Sequence, residues 1–270
     1  MGHPALANVR RDARARVCAD TVRTVSDPLA PLLDLPDVAD AAADARKAVD
    51  ELFGHQLLRR SSGPVSVESA LRGARASAAL EGAAYELEAV RAGAVTDPVL
   101  QGALRVAGGL GSLVETWTRA PGQVLARLHV LAATGIVPDS AVGRPRADPE
   151  VAARLSALSS LVTTTTDAVP GVVLAAIVHA ELLAIGAFEG PNGIIARAAS
   201  RLTLIAKGVD PKAVSVPEVG HLERQLEYVG AMNAYATGTP DGVRSWLKHC
   251  CAAVGIGARE GLAICDAMSA

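Results

Sequence analysis

The apolar residues of this chain recur at helical spacing along almost its whole length. No run alternates apolar and polar residues convincingly, as a half-buried strand does. Half of the residues are hydrophobic but only 3% are aromatic, so a core must be assembled from Ala, Leu, Val and Ile. Ala and Leu are also strong helix formers, and small side chains let helices approach closely. The pattern therefore predicts an all-α protein.

Short segments rich in proline and glycine separate the predicted helices. Asp97–Pro98 and Asp148–Pro149 mark two helix starts, because aspartate caps a helix and proline fits its first turn. The predicted helices span about residues 4–25, 37–59, 67–92, 97–120 and 122–135, then one from residue 149, two apolar helices around a turn near 186–191, one ending near Tyr235, and one or two more at the C-terminus. With 270 residues, we expect an N-terminal helical extension over residues 1–65 and a helical bundle over residues 66–270.

Charge and cysteine content exclude several functional classes. The net charge is −2 and the pI about 6.3, which argues against a protein that coats nucleic acid. The basic run Arg10–Arg16 is interpreted as the solvated face of a helix. The four cysteines fit neither a zinc ligand set nor a CxxC pair. Reduced thiols indicate a cytoplasmic protein.

One segment, Pro170–Phe188, is apolar enough to raise the question of a membrane. His179 and Glu181 lie near its middle, where an acidic group costs a few kcal/mol in a bilayer. The N-terminus also lacks the apolar core of a signal peptide. We therefore expect a buried helix of a bundle and no membrane association.

The turn between the two apolar helices lies in the stretch ELLAIGAFEGPNGIIARAASRLTLIAKG, residues 181–208. The start of a helix leaves unpaired N–H groups that attract anions. Gly190 and Gly193 permit backbone angles closed to other residues. From the residues alone, an anion site and a tight corner between two buried helices both remain open.

Further motifs around this turn resemble the Fic family, whose signature is His-Pro-Phe-x-Asp/Glu-Gly-Asn-Gly-Arg-x-x-Arg. The corresponding residues here are Gly186, Ala187, Phe188, Glu189, Gly190, Pro191, Asn192, Gly193, Ile194, Ile195, Ala196 and Arg197. Ser77–Gly82 is similar to the family's inhibitory helix motif, which we place on the predicted helix 67–92. Leu125–Arg146 resembles the stretch that precedes the target-binding flap, and Leu202–Pro211 resembles the end of the signature. The resemblance spans about residues 73–251.

The resemblance implies an all-α fold and transfer of AMP from ATP, with Mg²⁺, to a hydroxyl side chain. It also implies that the reactive positions are altered. The base position is Gly186, the phosphate-clamping arginine is Ile194, and the usual metal carboxylate is Gly190. Pro191 replaces a glycine whose N–H would help to hold phosphate. A general base alone contributes about 10²–10⁴ in rate.

The resemblance also marks residues that remain. Asn192, Gly193 and Arg197 are the candidates for binding a nucleotide or another anion. Glu189, one residue early, is a weak candidate for a metal. Arg197 matches the final family arginine, which pairs with the inhibitory glutamate, so the sequence predicts a Glu81–Arg197 ion pair that is either structural or inhibitory.

Three functional hypotheses follow from this pattern. The first is a pseudoenzyme that acts through contacts with an unidentified protein. The second is an active nucleotidyl or other phosphate-donor transferase with a non-standard site, and the third is a non-catalytic nucleotide-binding regulator. No cofactor is expected unless the site is active, in which case ATP and Mg²⁺ are implied. Self-association stays open.

Histidines elsewhere in the chain are the remaining candidates for chemistry. His179 is interpreted as a hydrogen-bonded core histidine and not as a replacement base. His221 is assigned to a surface face and not to a metal site. His249 and Cys250 are neighbours on a helix and diverge in direction, which argues against a nucleophile pair.

Overall fold

A computed structural model describes residues 27–165 and 167–269. Within those ranges the chain forms helices and loops without any strand, apart from one isolated bridge between Thr134 and Val137. The prediction of an all-α protein is confirmed. The predicted helix 4–25, the basic run Arg10–Arg16 and Cys18 lie outside the described residues.

The first half of the described chain consists of short and medium helices. A 3₁₀ turn at Ala30–Asp34 precedes them, and another at Leu110–Leu113 follows α5. The helices are α1 (Val38–Phe53), α2 (Gln56–Arg60), α3 (Gly63–Leu80), α4 (Leu87–Arg91), α5 (Pro98–Gly109), α6 (Val114–Trp117) and α7 (Pro121–Ala133). The predicted helices 37–59 and 97–120 are therefore each broken into shorter segments.

The second half supplies the centre of the fold. Its helices are α8 (Pro149–Thr164), α9 (Gly171–Ile185), α10 (Asn192–Ala206), α11 (Pro217–Glu223), α12 (Gln225–Tyr235) and α13 (Pro240–Ser269). Helix α9 is buried on nearly every side and packs against α10, as its uniformly apolar sequence requires. Helix α13 lies across α1, α11 and α12. Among the described helices, none is both long and apolar enough to cross a bilayer.

Helices approach closely at glycines, as the small-residue composition predicts. A Cβ added to Gly102 would overlap the carbonyl oxygen of Ala132, and one added to Gly220 would overlap that of Ala253. These contacts join α5 to α7 and α11 to α13. The packing therefore depends on backbone contact as well as on aliphatic side chains.

The prediction of one helix over residues 67–92 is wrong beyond Leu80. Gly82 adopts a left-handed conformation, with φ of 94°. Its N–H donates to Ala79 O at 2.9 Å, and the Ala83 N–H donates to Ala78 O at 3.0 Å. This pair of bonds is the Schellman arrangement that ends a helix. The inhibitory-type motif thus lies at the end of α3, whereas the division of the chain at residue 65 stays a prediction.

Candidate functional site

The signature-like loop begins where α9 ends at Gly186. This residue is left-handed, with φ of 52° and ψ of 50°, and its N–H donates to Leu182 O at 3.1 Å. A left-handed residue with a side chain costs about 1–2 kcal/mol. A Cβ added to Gly186 would meet no atom within 4 Å. Glycine here closes α9, and the position that the resemblance assigns to the base carries no side chain.

The Asn192 side chain closes the loop onto the start of α10. Its amide nitrogen donates to Phe188 O at 2.7 Å and to Gly190 O at 3.2 Å. Its amide oxygen accepts from the Phe188 N–H at 3.1 Å. These bonds satisfy most of what the amide can make, so Asn192 orders the loop backbone, and its predicted part in binding an anion stays a prediction.

The segment after α7 is tied to the same loop through His129. The centroids of the His129 and Phe188 rings lie 4.6 Å apart, and Phe188 is buried. Nδ1 accepts from the Gly143 N–H at 2.9 Å, so Nε2 carries the proton and donates to Glu189 O at 2.9 Å. Burial lowers the pKa of His129, and the Glu189 carbonyl opposes this only in part. His129 therefore acts as a neutral bridge.

Arg146 adds two further bonds between this segment and the loop. Its N–H donates to Ala187 O at 2.8 Å, and its guanidinium donates to Ile185 O at 2.9 Å. The stretch that resembles the one preceding the family's flap is thus hydrogen-bonded to the loop itself.

Two of the altered positions are built into the packing. Gly190 is left-handed, with φ of 83°, and a Cβ there would lie 2.8 Å from Val137 Cγ1. Ile194 is only 2% exposed and belongs to the hydrophobic core. A side chain at position 190 therefore requires a shift of Val137, and position 194 is part of the core.

Arg197 is buried, with 3% of its surface exposed, and its donors point at acceptors of the protein. Its guanidinium donates to Ser77 Oγ and Ser77 O at 2.9 Å each, and to Tyr228 OH at 3.3 Å. Nη2 also lies 2.7 Å from Glu81 Oε1, so the predicted ion pair is present. Burial works to lower the pKa of Arg197, but Tyr228 and Glu81 together raise it above its usual value.

The Glu81 carboxylate occupies the space beside the first turn of α10. A Cβ added to Gly193 would overlap Glu81 Oε1 and lie 2.9 Å from Arg197 Nη1. Negative charge is favoured at this end of a helix by the macrodipole. The Glu81 side chain keeps 24% of its surface exposed. A carboxylate of the protein itself therefore occupies the place beside the start of α10 where an anion would be favoured. Any inhibitory role of this contact stays a prediction.

Buried aromatic and histidine side chains lie behind Arg197. His179 Nε2 lies 2.9 Å from Tyr228 OH, which makes His179 the hydrogen-bonded core histidine that the sequence predicted. Its Nδ1 is buried without a partner among the described residues. Burial lowers the pKa of His179 well below its usual value, and the positive charges of Arg197 and His249 lower it further.

The assignment of His221 to a surface face is wrong. Its side chain is 4% exposed, and Nδ1 lies 3.0 Å from His249 Nε2. One face of the short helix α11 consists of Pro217, Gly220 and His221. This face packs against α13, because Gly220 closely approaches Ala253. In the sequence, the charged neighbours Glu223 and Arg224 favoured the assignment of His221 to the surface.

Metal and nucleophile candidates gain no support from the described residues. No group of three His, Cys, Asp or Glu side chains within the described ranges could hold a metal ion. Glu189 is exposed, and only its carbonyl is engaged, by His129. His249 faces His221 and Glu227, and burial raises the pKa of Cys250 well above its usual value.

The structure thus brings Glu81, Gly193 and Arg197 together at the start of α10. The sequence marked those residues through the resemblance, but it did not identify Tyr228 as a neighbour of Arg197 or His129 as a neighbour of Glu189. Both lie far along the chain from the residues that they contact. The Ser77 contacts with Arg197 were also missed, although Ser77 opens the inhibitory-type motif.

The fold matches solved structures of Fic proteins. A Fic family protein from Desulfovibrio desulfuricans G20 has a TM-score of 0.71 at 20% identity, over 84% of this chain and 74% of that chain. A fragment of C. elegans Fic-1 has a TM-score of 0.65 at 18% identity, over 95% and 79%. A single-residue variant of that fragment has a TM-score of 0.66 at 16% identity, over 96% and 78%. The chain therefore has the Fic fold.

The likeness lies in the fold and not in overall sequence. No model of a sequence family matches the chain, and no curated protein matches it either.

Proposed function

We propose that this chain is a Fic-fold protein without AMP-transferase chemistry, which acts in the cytoplasm through protein contacts or regulation. The observation that carries the proposal is the construction of the loop between α9 and α10. Gly186 and Gly190 are both left-handed, Gly190 lies against Val137, and Ile194 is part of the core. The positions for the metal carboxylate and the phosphate clamp are thus committed to packing, and the position for the base is a left-handed glycine that ends α9.

The size of the expected loss supports the proposal. Absence of a general base removes about 10²–10⁴ in rate, and absence of a charged clamp removes about 10²–10³ more. Arg197 does not replace the clamp, because its donors are directed at Ser77, Tyr228 and Glu81. Little stabilisation of a transition state remains. In this proposal the protein needs neither ATP nor Mg²⁺.

Label transfer tests the proposal against an active transferase with a non-standard site. The purified protein is incubated with α-labelled ATP, UTP or GTP and Mg²⁺, alone and with a cell lysate. We expect no transfer of label to the protein or to any lysate protein above a sample without it. Transfer that disappears in the Arg197→Met variant would establish an active transferase and overturn the proposal.

A non-catalytic nucleotide-binding regulator is the second candidate, and the position of Glu81 favours it. This side chain is partly exposed, and when it leaves, Arg197 keeps its bonds to Ser77 and Tyr228. A nucleotide phosphate would then take the place of the carboxylate beside Gly193. A ligand at 100 times its Kd raises stability by about 2.7 kcal/mol. A thermal shift with ATP in Glu81→Gly, absent in Glu81→Gly/Arg197→Met, would support this candidate.

A further inference from the structure

A cavity of about 550 Å³ lies beside α3, away from the loop between α9 and α10. It is enclosed by the first half of α3, the end of α5 with the 3₁₀ turn that follows, the end of α10 and the loop before α11. Its walls are mainly aliphatic, with Val67, Ala70, Ala107, Leu110, Val114 and Ile205 among them. Sites for small molecules have this size and this mainly apolar lining, with a few polar groups that fix orientation.

The polar groups of this cavity are a buried ion pair. Arg201 and Glu218 both line it, and they are 5% and 7% exposed. Arg201 Nη1 lies 2.8 Å from Glu218 Oε2, and Nη2 donates to Ala213 O at 3.0 Å. Glu218 Oε1 accepts no hydrogen bond from any residue of the described ranges. Because Oε1 retains some contact with solvent, a ligand that donates a hydrogen bond to it would replace water there.

Gly73 lets the backbone of α3 lie directly against the ion pair. A Cβ on Gly73 would lie 3.1 Å from Glu218 Oε2 and 3.4 Å from Arg201 Nη1. On the other side, Ala213 lines the cavity in a left-handed conformation, with φ of 52°. A residue with a side chain keeps that conformation only when its surroundings impose it, and such residues cluster at binding sites. The bond from Arg201 to the Ala213 carbonyl supplies the constraint.

The charges around the cavity indicate an uncharged ligand. The Arg201 guanidinium neutralises the Glu218 carboxylate. Lys212 also lines the cavity, but its Nζ donates to Leu58 O at 3.0 Å and lies 5.9 Å from the Phe53 ring centroid. Its charge is therefore committed to groups outside the lining.

We propose that this cavity binds a small uncharged molecule with an apolar body and one hydrogen-bond donor, which is directed at Glu218 Oε1. The site is distinct from the loop, because Ser77, Glu81, Gly193 and Arg197 do not line it. The proposal is independent of whether the chain transfers nucleotides.

Two matched probes test the site by NMR titration of the full chain. 4-Butylphenol carries a donor, and 4-butylanisole is the same molecule with that donor capped by a methyl group. We expect saturable shifts of the Gly73 and Gly111 amide signals with the phenol. Capping should weaken binding about tenfold, as the loss of a hydrogen bond to a charged group predicts.

Filling the cavity provides the second arm of the test. Ala70→Phe places a ring on the apolar wall, and we expect it to weaken binding of the phenol at least tenfold. Ala79→Phe adds the same side chain to α3 outside the lining and serves as the control, with circular dichroism to verify that both variants fold. The proposal is overturned if the wild type gives no saturable shift up to millimolar phenol, if the anisole binds equally well, or if Ala70→Phe binds like the wild type.

Discussion

The Glu81–Arg197 pair gives a prediction whose size follows from the structure. In Glu81→Gln the side chain keeps its shape and loses its charge, so Arg197 remains buried opposite a neutral amide. Removing one partner of a fully buried ion pair costs about 3–5 kcal/mol, because the other charge is left uncompensated. For Glu81 the cost in stability is smaller, for two reasons.

The first reason is solvent, and the second is the number of remaining acceptors. The Glu81 side chain is 24% exposed, so water screens part of its charge. Arg197 also keeps two acceptors on Ser77 and one on Tyr228. We therefore expect Glu81→Gln to lower the free energy of unfolding by about 1–2 kcal/mol. The Arg201–Glu218 pair is more than nine-tenths buried on both sides, so Glu218→Gln should cost about 3–5 kcal/mol.

Urea unfolding at pH 7, followed by circular dichroism, measures both variants against the wild type. A double-mutant cycle with Arg197→Met isolates the Glu81–Arg197 interaction from the other Arg197 bonds. The reasoning is refuted if Glu81→Gln costs as much as Glu218→Gln, or if the cycle gives no interaction between Glu81 and Arg197.

Three further predictions concern stability and reactivity. The folded-state pKa values of His179, His221 and His249 are lowered, mainly by burial. As the pH falls below about 6.5, these histidines take up protons in the unfolded chain before they do so in the folded protein. The free energy of unfolding should therefore fall by up to about 1.4 kcal/mol per pH unit for each histidine. Urea midpoints at pH 7.5 and 5.5 measure this, and equal midpoints would contradict it. Gly193→Ala should displace Glu81 and lower the free energy of unfolding in urea by about 1–3 kcal/mol. Gly122→Ala, where a Cβ meets no atom within 4 Å, is the control and should cost nothing. Equal effects of the two substitutions would contradict the overlap of a Cβ at residue 193 with Glu81. Burial raises the pKa of the Cys251 thiol to about 12. A thiol reagent should therefore label Cys251 and Cys250 only after unfolding. Fast labelling of these two thiols in the native protein would contradict their burial.

Much of the fold was accessible from the sequence because helical periodicity and Ala/Leu content act locally. The Glu81–Arg197 contact was also accessible, but only through the order of motifs in a known family. The end of α3 at Leu80 was missed, although Gly82 is the residue that a Schellman ending requires. A glycine within a run of helix-forming residues does not by itself distinguish a helix end from a tolerated interior position.

Contacts between distant segments explain what the sequence could not supply for the site. Gly186 could be recognised as lacking a side chain, but its left-handed conformation depends on how α9 ends. The closeness of Gly190 to Val137 joins residues that are far apart in the chain. His221 was placed at the surface because its charged neighbours dominate the local pattern, whereas the packing of Gly220 against α13 decides its burial.

The most direct measurement is the mass of the intact Glu81→Gly protein after incubation with ATP and Mg²⁺, with Glu81→Gly/Arg197→Met as the control. Glu81→Gly empties the space beside Gly193, so a transferase that was only held inactive by Glu81 would be released. We predict that the mass does not change, because the residues that the resemblance assigns to the base, clamp and metal positions, Gly186, Ile194 and Gly190, cannot perform those roles. An added mass of one AMP in Glu81→Gly, absent in the control, would contradict the claim that the chain lacks this chemistry.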